Sequence, residues 1–165
     1  MTVSATSHSI PLTGNQLAQI CTSVRWQQAM QAQAPFHSHK ALTDAADSAF
    51  DQLDEPDWLE AFYGHPMIGD LHTLRAKYSQ GAALSQSEQA SIAGASDAVL
   101  TSLLELNQRY LKKFGFIFIV FASDKSASEM LNLLTHRISL SRSQELKNAA
   151  LEQRKISHHR MESYR

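Results

Sequence analysis

The sequence predicts an all-α protein, a single-domain compact helical bundle broken by one extended apolar segment near 115–122. Three observations predict it. Apolar residues return at three- and four-residue steps along most of the chain. Ser-x-x-Glu and Ser-x-x-Gln helix-start signals recur. The one run with strand character, FGFIFIVFA at 114–122, has no second run of its quality to pair with. A chain of 165 residues is long enough for one sizeable core. Residues 1–14 are polar and aperiodic and read as a loose lead-in, so the helical domain is expected over 15–165.

Taken in order, Leu17, Ile20, Cys21 and Val24 mark a first helical stretch beginning at Gln16. Leu42, Ala45, Ala46, Ala49, Phe50 and Leu53 mark a second. Pro56 suits the first turn of a short helix carrying Trp58, Leu59 and Phe62, which Gly64 is placed to end. Residues 86–114 hold one or two helices, with a stripe of Leu100, Leu103, Leu104, Asn107, Tyr110, Leu111 and Phe114 that stops at Gly115. Ser126 and Glu129 form a capping box ahead of Met130, Leu131, Leu133, Leu134 and Ile138. Ser141 and Gln144 form another ahead of Leu146, Ala149, Ala150, Gln153 and Ile156, in a helix expected to run to about Met161. The segment 114–122 then reads as an extended connection between helices. Its backbone amides lack a ladder and must find acceptors elsewhere, which a ligand could supply.

Lysine plus arginine number 15 against 16 acidic residues, so no charge excess points to nucleic acid or a membrane surface. A single cysteine, Cys21, excludes an internal disulfide, and no zinc-type Cys/His spacing occurs. MTVSATSHSIPLTG lacks the basic-then-apolar pattern of a secretory leader, no apolar run approaches a membrane span, and the Glu-Ser-Tyr-Arg end is not a peroxisomal tail. A soluble, cytoplasmic protein is the expectation.

Among residues that could do chemistry, His65 stands first, in YGHPMIGD at 63–70. Gly64 suits the left-handed position after a helix, and Pro66 forces the residue before it to be extended, so His65 projects from a rigid corner. The plainer reading is a helix-stop signal in which histidine merely sits. Ser85-Gln86-Ser87-Glu88-Gln89 is equally a capping box or, at a helix N-terminus with free amides, an anion-binding place. Arg160 lies in a basic cluster with Lys155, His158 and His159, which reads by default as a solvated face complementing the helix dipole. It nonetheless shares a face with Ile156. The eight histidines include no pair at the four-residue spacing of a helical metal site.

Together HPMIGD (65–70), SQSEQ (85–89), the stretch from Asn107 through Tyr110 and Phe114-Gly115-Phe116 into FIFIVFASDKSASEM, and ELKNAALEQRKISHHRM (145–161) resemble the 2-oxo-4-hydroxy-4-carboxy-5-ureidoimidazoline (OHCU) decarboxylase family of urate breakdown. The resemblance covers roughly residues 15–161. It implies an all-α, commonly homodimeric enzyme of purine degradation, a carboxy-lyase that needs no cofactor and no metal and forms (S)-allantoin. It implies catalytic roles for His65, Glu88 and Arg160. It implies substrate contacts at Pro66, at Ser85, Gln86, Ser87, Glu88 and Gln89, along the main chain of Phe118, Ile119, Val120, Phe121 and Ala122, and at Arg160. Met67 departs from the often charged residue of relatives, which bears only on pocket polarity. Two other readings stay open: a non-catalytic helical interaction module, and a helical metal protein.

Overall fold

The computed structural model describes residues 8–67, 72–75 and 86–165, with side chains throughout except at 86–96. Its elements are helices: α1 (Gly14–Ile20), α2 (Val24–Gln33), α3 (His39–Asp51), α4 (Glu55–Tyr63), α5 (Gln86–Phe114), α6 (Ala127–Arg137) and α7 (Arg142–Met161). The all-α class is therefore as the sequence predicts. No strand forms among the described residues, where Ile10 and Phe36 make an isolated antiparallel bridge. No described helix is long and apolar enough to cross a membrane. The chain divides into two compact units, Met1–His65 with Ala150–Arg165, and Pro66–Ala149.

In the first unit the single stretch expected from Gln16 to Val24 is two helices. Thr13 and Gln16 close a capping box that starts α1, with bonds of 2.9 and 3.2 Å. The chain then leaves the helix at Cys21, and the Ser23 hydroxyl accepts from the Trp26 amide to start α2 afresh. A serine able to satisfy a free amide outcompetes the apolar spacing that would have carried the helix on. Within the expected lead-in, Ile10 is buried and its N–H donates to the Phe36 carbonyl at 2.7 Å.

The core of this unit is a row of rings. Trp26 stacks on Phe50 at 5.3 Å and Phe50 on Trp58 at 5.4 Å, while the Trp26 indole N–H donates to the Ala46 carbonyl. Leu17, Ile20, Met30, Leu42 and Phe62 are buried around it, each contributing about 1.5–3 kcal/mol. Arg154 of α7 lies over the edge of this row, 5.4 Å from the Phe50 centroid and 5.8 Å from that of Trp58, and pairs with Asp51 at 2.7 Å. It is a packed residue.

In the second unit α5 is one helix, ended by Gly115 at φ +81°, where glycine carries no penalty. The chain then runs without helix or paired strand over residues 117–122, as the unpaired apolar run predicts, and turns at 123–124, where Asp124 takes φ +61°. Phe114, Phe116 and Phe118 alternate inward around Tyr110, at ring distances of 4.5, 5.9 and 5.4 Å. Beneath them lies a buried polar cluster. Glu145 accepts from the Tyr110 hydroxyl (2.6 Å), Arg137 Nε (2.8 Å) and Asn148 Nδ2 (2.7 Å). Arg137 also donates to the Ile119 carbonyl at 2.6 Å and sits 4.6 Å from the Phe118 ring centroid. A charge taken out of water this far needs such partners.

Candidate active site

His65 follows the end of α4 directly. Its amide donates to the Phe62 carbonyl, and the Gly64 amide to that of Ala61. Gly64 is not left-handed, as the sequence suggests, but sits at φ −72°, ψ −11°. Its missing side chain has another cause: a Cβ there would lie 2.2 Å from the Thr22 hydroxyl oxygen and 2.3 Å from its methyl group. Thr22 packs that close because its hydroxyl donates to the Glu60 and Ala61 carbonyls at the end of α4. The rigid corner exists, braced by the residue between α1 and α2.

The imidazole is half-buried, and its Nε2 lies 2.5 Å from Gln153 Oε1. Gln153 Nε2 in turn donates to Ser157 Oγ (3.1 Å), which donates to the Ile20 carbonyl (3.0 Å). Arg160 Nη1 reaches the same carbonyl at 3.3 Å and that of Gln19 at 3.0 Å. These carbonyls end α1, where no later turn can use them. Both bonds leave through Nη1, so Nε and Nη2 of Arg160 remain unbonded to any described residue. Burial pulls His65 below its ordinary 6.5, the Gln153 bond opposes this in part, and the Arg160 charge adds to the lowering. At neutral pH the ring is uncharged and able to accept a proton.

Two of the expected catalytic residues, His65 and Arg160, are thus brought together with Gln153 and Ser157. Pro66 is exposed beside His65. In the second unit, the amides of Phe118, Ile119, Val120 and Ala122 make no hydrogen bond to a described residue, while the Phe121 carbonyl accepts from Lys125 Nζ at 2.8 Å. Gln86, Ser87, Glu88 and Gln89 form the first turn of α5, and their side chains lie outside the described residues, as does Ser85 altogether.

Sequence reasoning missed Ser157 and took Gln153 for part of an apolar stripe. Both are fully buried. The available signal was spacing, since Gln153, Ser157 and Arg160 stand at i, i+4 and i+7 on one helical face. Cys21 is buried nearby and its thiol is pushed up to about 12 by that burial, so it carries no thiolate at neutral pH.

A model of the OHCU decarboxylase family matches residues 13–162. The chain is 41% identical over 142 residues to the uric acid degradation bifunctional protein TTL of Arabidopsis thaliana, covering 86% of this chain and 44% of that protein. The chain therefore spans less than half the length of this relative. It is 31% identical over 134 residues to a 2-oxo-4-hydroxy-4-carboxy-5-ureidoimidazoline decarboxylase of Halalkalicoccus jeotgali, covering 79% and 72% of the two chains. A crystal structure of OHCU decarboxylase in the presence of (S)-allantoin superposes with a TM-score of 0.71 at 32% identity, over 90% of this chain and 96% of that one. An (S)-allantoin synthase, at 0.67 and 21% identity over 91% and 48% of the two chains, shares the fold. With the family model matching nearly end to end and these relatives beside it, the chain belongs to the OHCU decarboxylase family.

Proposed function

We propose that this chain decarboxylates 2-oxo-4-hydroxy-4-carboxy-5-ureidoimidazoline to (S)-allantoin. The observation that carries the reading is the uncharged, half-buried His65, held through one ring nitrogen beside the Arg160 cation. In this substrate the carboxylate leaves a carbon that also bears a hydroxyl and adjoins an imine-like carbon. As the C–C bond breaks, its electron pair moves onto that neighbour and its nitrogen, and CO2 departs. The hydroxyl proton is taken by His65 as the carbon becomes a ring carbonyl, that proton returns to the neighbouring carbon, and the ring nitrogen left anionic by the departing CO2 takes a proton from solvent. The substrate is its own electron sink, and the protein's task is positioning and proton transfer.

Arg160, with Nε and Nη2 to spare, steadies the charge left on the ring. Gripping the departing carboxylate would hold the ground state instead and oppose CO2 loss. Glu88 holds ureido N–H groups, and Ser85, Gln86, Ser87, Gln89 and Pro66 are further substrate contacts. The amides of Phe118, Ile119, Val120 and Ala122, which make no hydrogen bond to a described residue, fit main-chain donors to ring oxygens. These roles rest on the family resemblance, as does a homodimeric form; a cytoplasmic location rests on the lone cysteine, which fits a reducing compartment.

The test is purified protein given freshly generated substrate, with CO2 release and the handedness of allantoin followed together. Faster CO2 release with one enantiomer is expected, and His65→Asn should lose at least about 10²–10⁴-fold while melting as the parent does. No acceleration over buffer would refute the reading and leave a helical interaction module.

A further inference from the structure

The hydrogen-bond chain behind His65 has a direction, and the direction can be read from its far end. A carbonyl has no proton to give. The Ser157 hydroxyl must therefore donate to the Ile20 oxygen, 3.0 Å away. Having used its one proton, Ser157 Oγ can only accept from Gln153, at 3.1 Å. The amide arm facing Ser157 is then the NH2, and the arm facing His65 is the oxygen. That oxygen lies 2.5 Å from Nε2 and can only accept, so Nε2 must carry a proton.

We infer that Gln153 and Ser157 are positioning residues that fix His65 as its Nε2–H tautomer and make Nδ1 the atom that takes and returns the substrate's proton. This rests on His65 as the proton-transfer group of the reaction proposed above. The choice of an amide over a carboxylate matters as much as its orientation. A carboxylate at position 153 would hold the same Nε2–H but stabilise the imidazolium, leaving less of the ring uncharged to act as a base near neutral pH. Gln153 orients without charging. Arg160, the charged group that His65 feels among the described residues, acts in the same sense. The Ile20 carbonyl therefore anchors both the tautomer and, at 3.3 Å, the arginine.

The experiment is long-range proton–nitrogen correlation on protein carrying 15N-histidine, with His65→Asn identifying the His65 signal. The expected result in the parent, above the ring's pKa, is a proton on Nε2 and none on Nδ1. Ser157→Ala should release the Gln153 amide, move the proton partly to Nδ1, and lower kcat about 10- to 100-fold, by analogy with the loss seen when the outer-shell partner of a metal-bound histidine is removed. Gln153→Glu should keep Nε2–H but raise the His65 pKa by about one to three units, carrying the acid limb of kcat/KM upward with it. A parent protein with the proton on Nδ1 would overturn the inference, as would Gln153→Glu leaving that pKa in place. The spectra need no turnover, so an inactive protein with the expected tautomer refutes only the proposed reaction.

Discussion

Arg160→Lys and Arg154→Lys, made side by side, should separate chemistry from packing within one helix. Arg154 is 26% exposed, pairs with Asp51 at 2.7 Å and lies over Phe50 and Trp58 at 5.4 and 5.8 Å. A lysine keeps a charge near Asp51 but loses the flat stack on two rings, worth about 0.5–1 kcal/mol each. Arg154→Lys should therefore cost about 1–2 kcal/mol, or about 2–8 °C in Tm for a chain of this size, with kcat/KM unchanged. Arg160 makes its two carbonyl bonds at an exposed position. A lysine ammonium can still reach one of them, so the fold should lose less than about 1 kcal/mol. It cannot present two parallel N–H groups to the substrate, and kcat/KM should fall by at least about 10²-fold. Thermal melts and CO2-release kinetics on both variants read the two effects independently. If Arg160→Lys proves only mildly impaired, no more than Arg154→Lys, Arg160 is a cap on α1 and the substrate's charge is met elsewhere.

Two further changes probe the second unit. If Glu88 only caps α5, Glu88→Gln should be silent; as a working carboxylate it should lose activity by about 10²-fold or more at an unchanged melting temperature, which is the expected outcome. In the buried cluster, Arg137→Met leaves the Glu145 carboxylate short of its counter-charge and should cost about 3–5 kcal/mol by chemical denaturation, whereas Arg137→Met with Glu145→Leu should recover most of it. A double variant as unstable as the sum of the singles would show that the two side chains act apart.

Much of this was legible because its causes are local. The Ser126 and Ser141 caps and the Gly115 stop all depend on neighbours within four residues. What was misread depends on distant ones. Gly64 is required by Thr22, and nothing beside it in the chain reveals that. The sequence reads the last helix along Leu146, Ala149, Ala150, Gln153 and Ile156, yet its buried line keeps only Ala149 and Gln153 of these and runs through Glu145, Ser157 and Met161 as well. Polar partners, Tyr110 and Arg137 at one end and Ile20 and His65 at the other, set that rotation, and a periodicity that counts only apolar residues cannot register them. His65 and Arg160 were candidates from their own surroundings and took their roles from motif resemblance, while Gln153 and Ser157 emerged only from the bonds they make.

The first unit joins residues 1–65 to residues 150–165, and that has a consequence for how the chain is born. The bonds closing it, from His39 to the Tyr164 carbonyl, Arg154 to Asp51, His158 to Asp47, Ser157 to Ile20 and Arg160 to Gln19, span sequence separations of 103 to 141 residues. The equilibrium cost of so long a closure is small, since doubling a loop adds only about 0.6 kcal/mol. The delay is not. At about 5–20 residues per second, a ribosome holds the first 65 residues without their closing helix for on the order of 10 s. Throughout that interval the Phe50 and Trp58 rings lack the Arg154 cover and His65 lacks its hydrogen-bond chain. Protection of the ring row and competence of the histidine should arrive together, with the last turns of the chain.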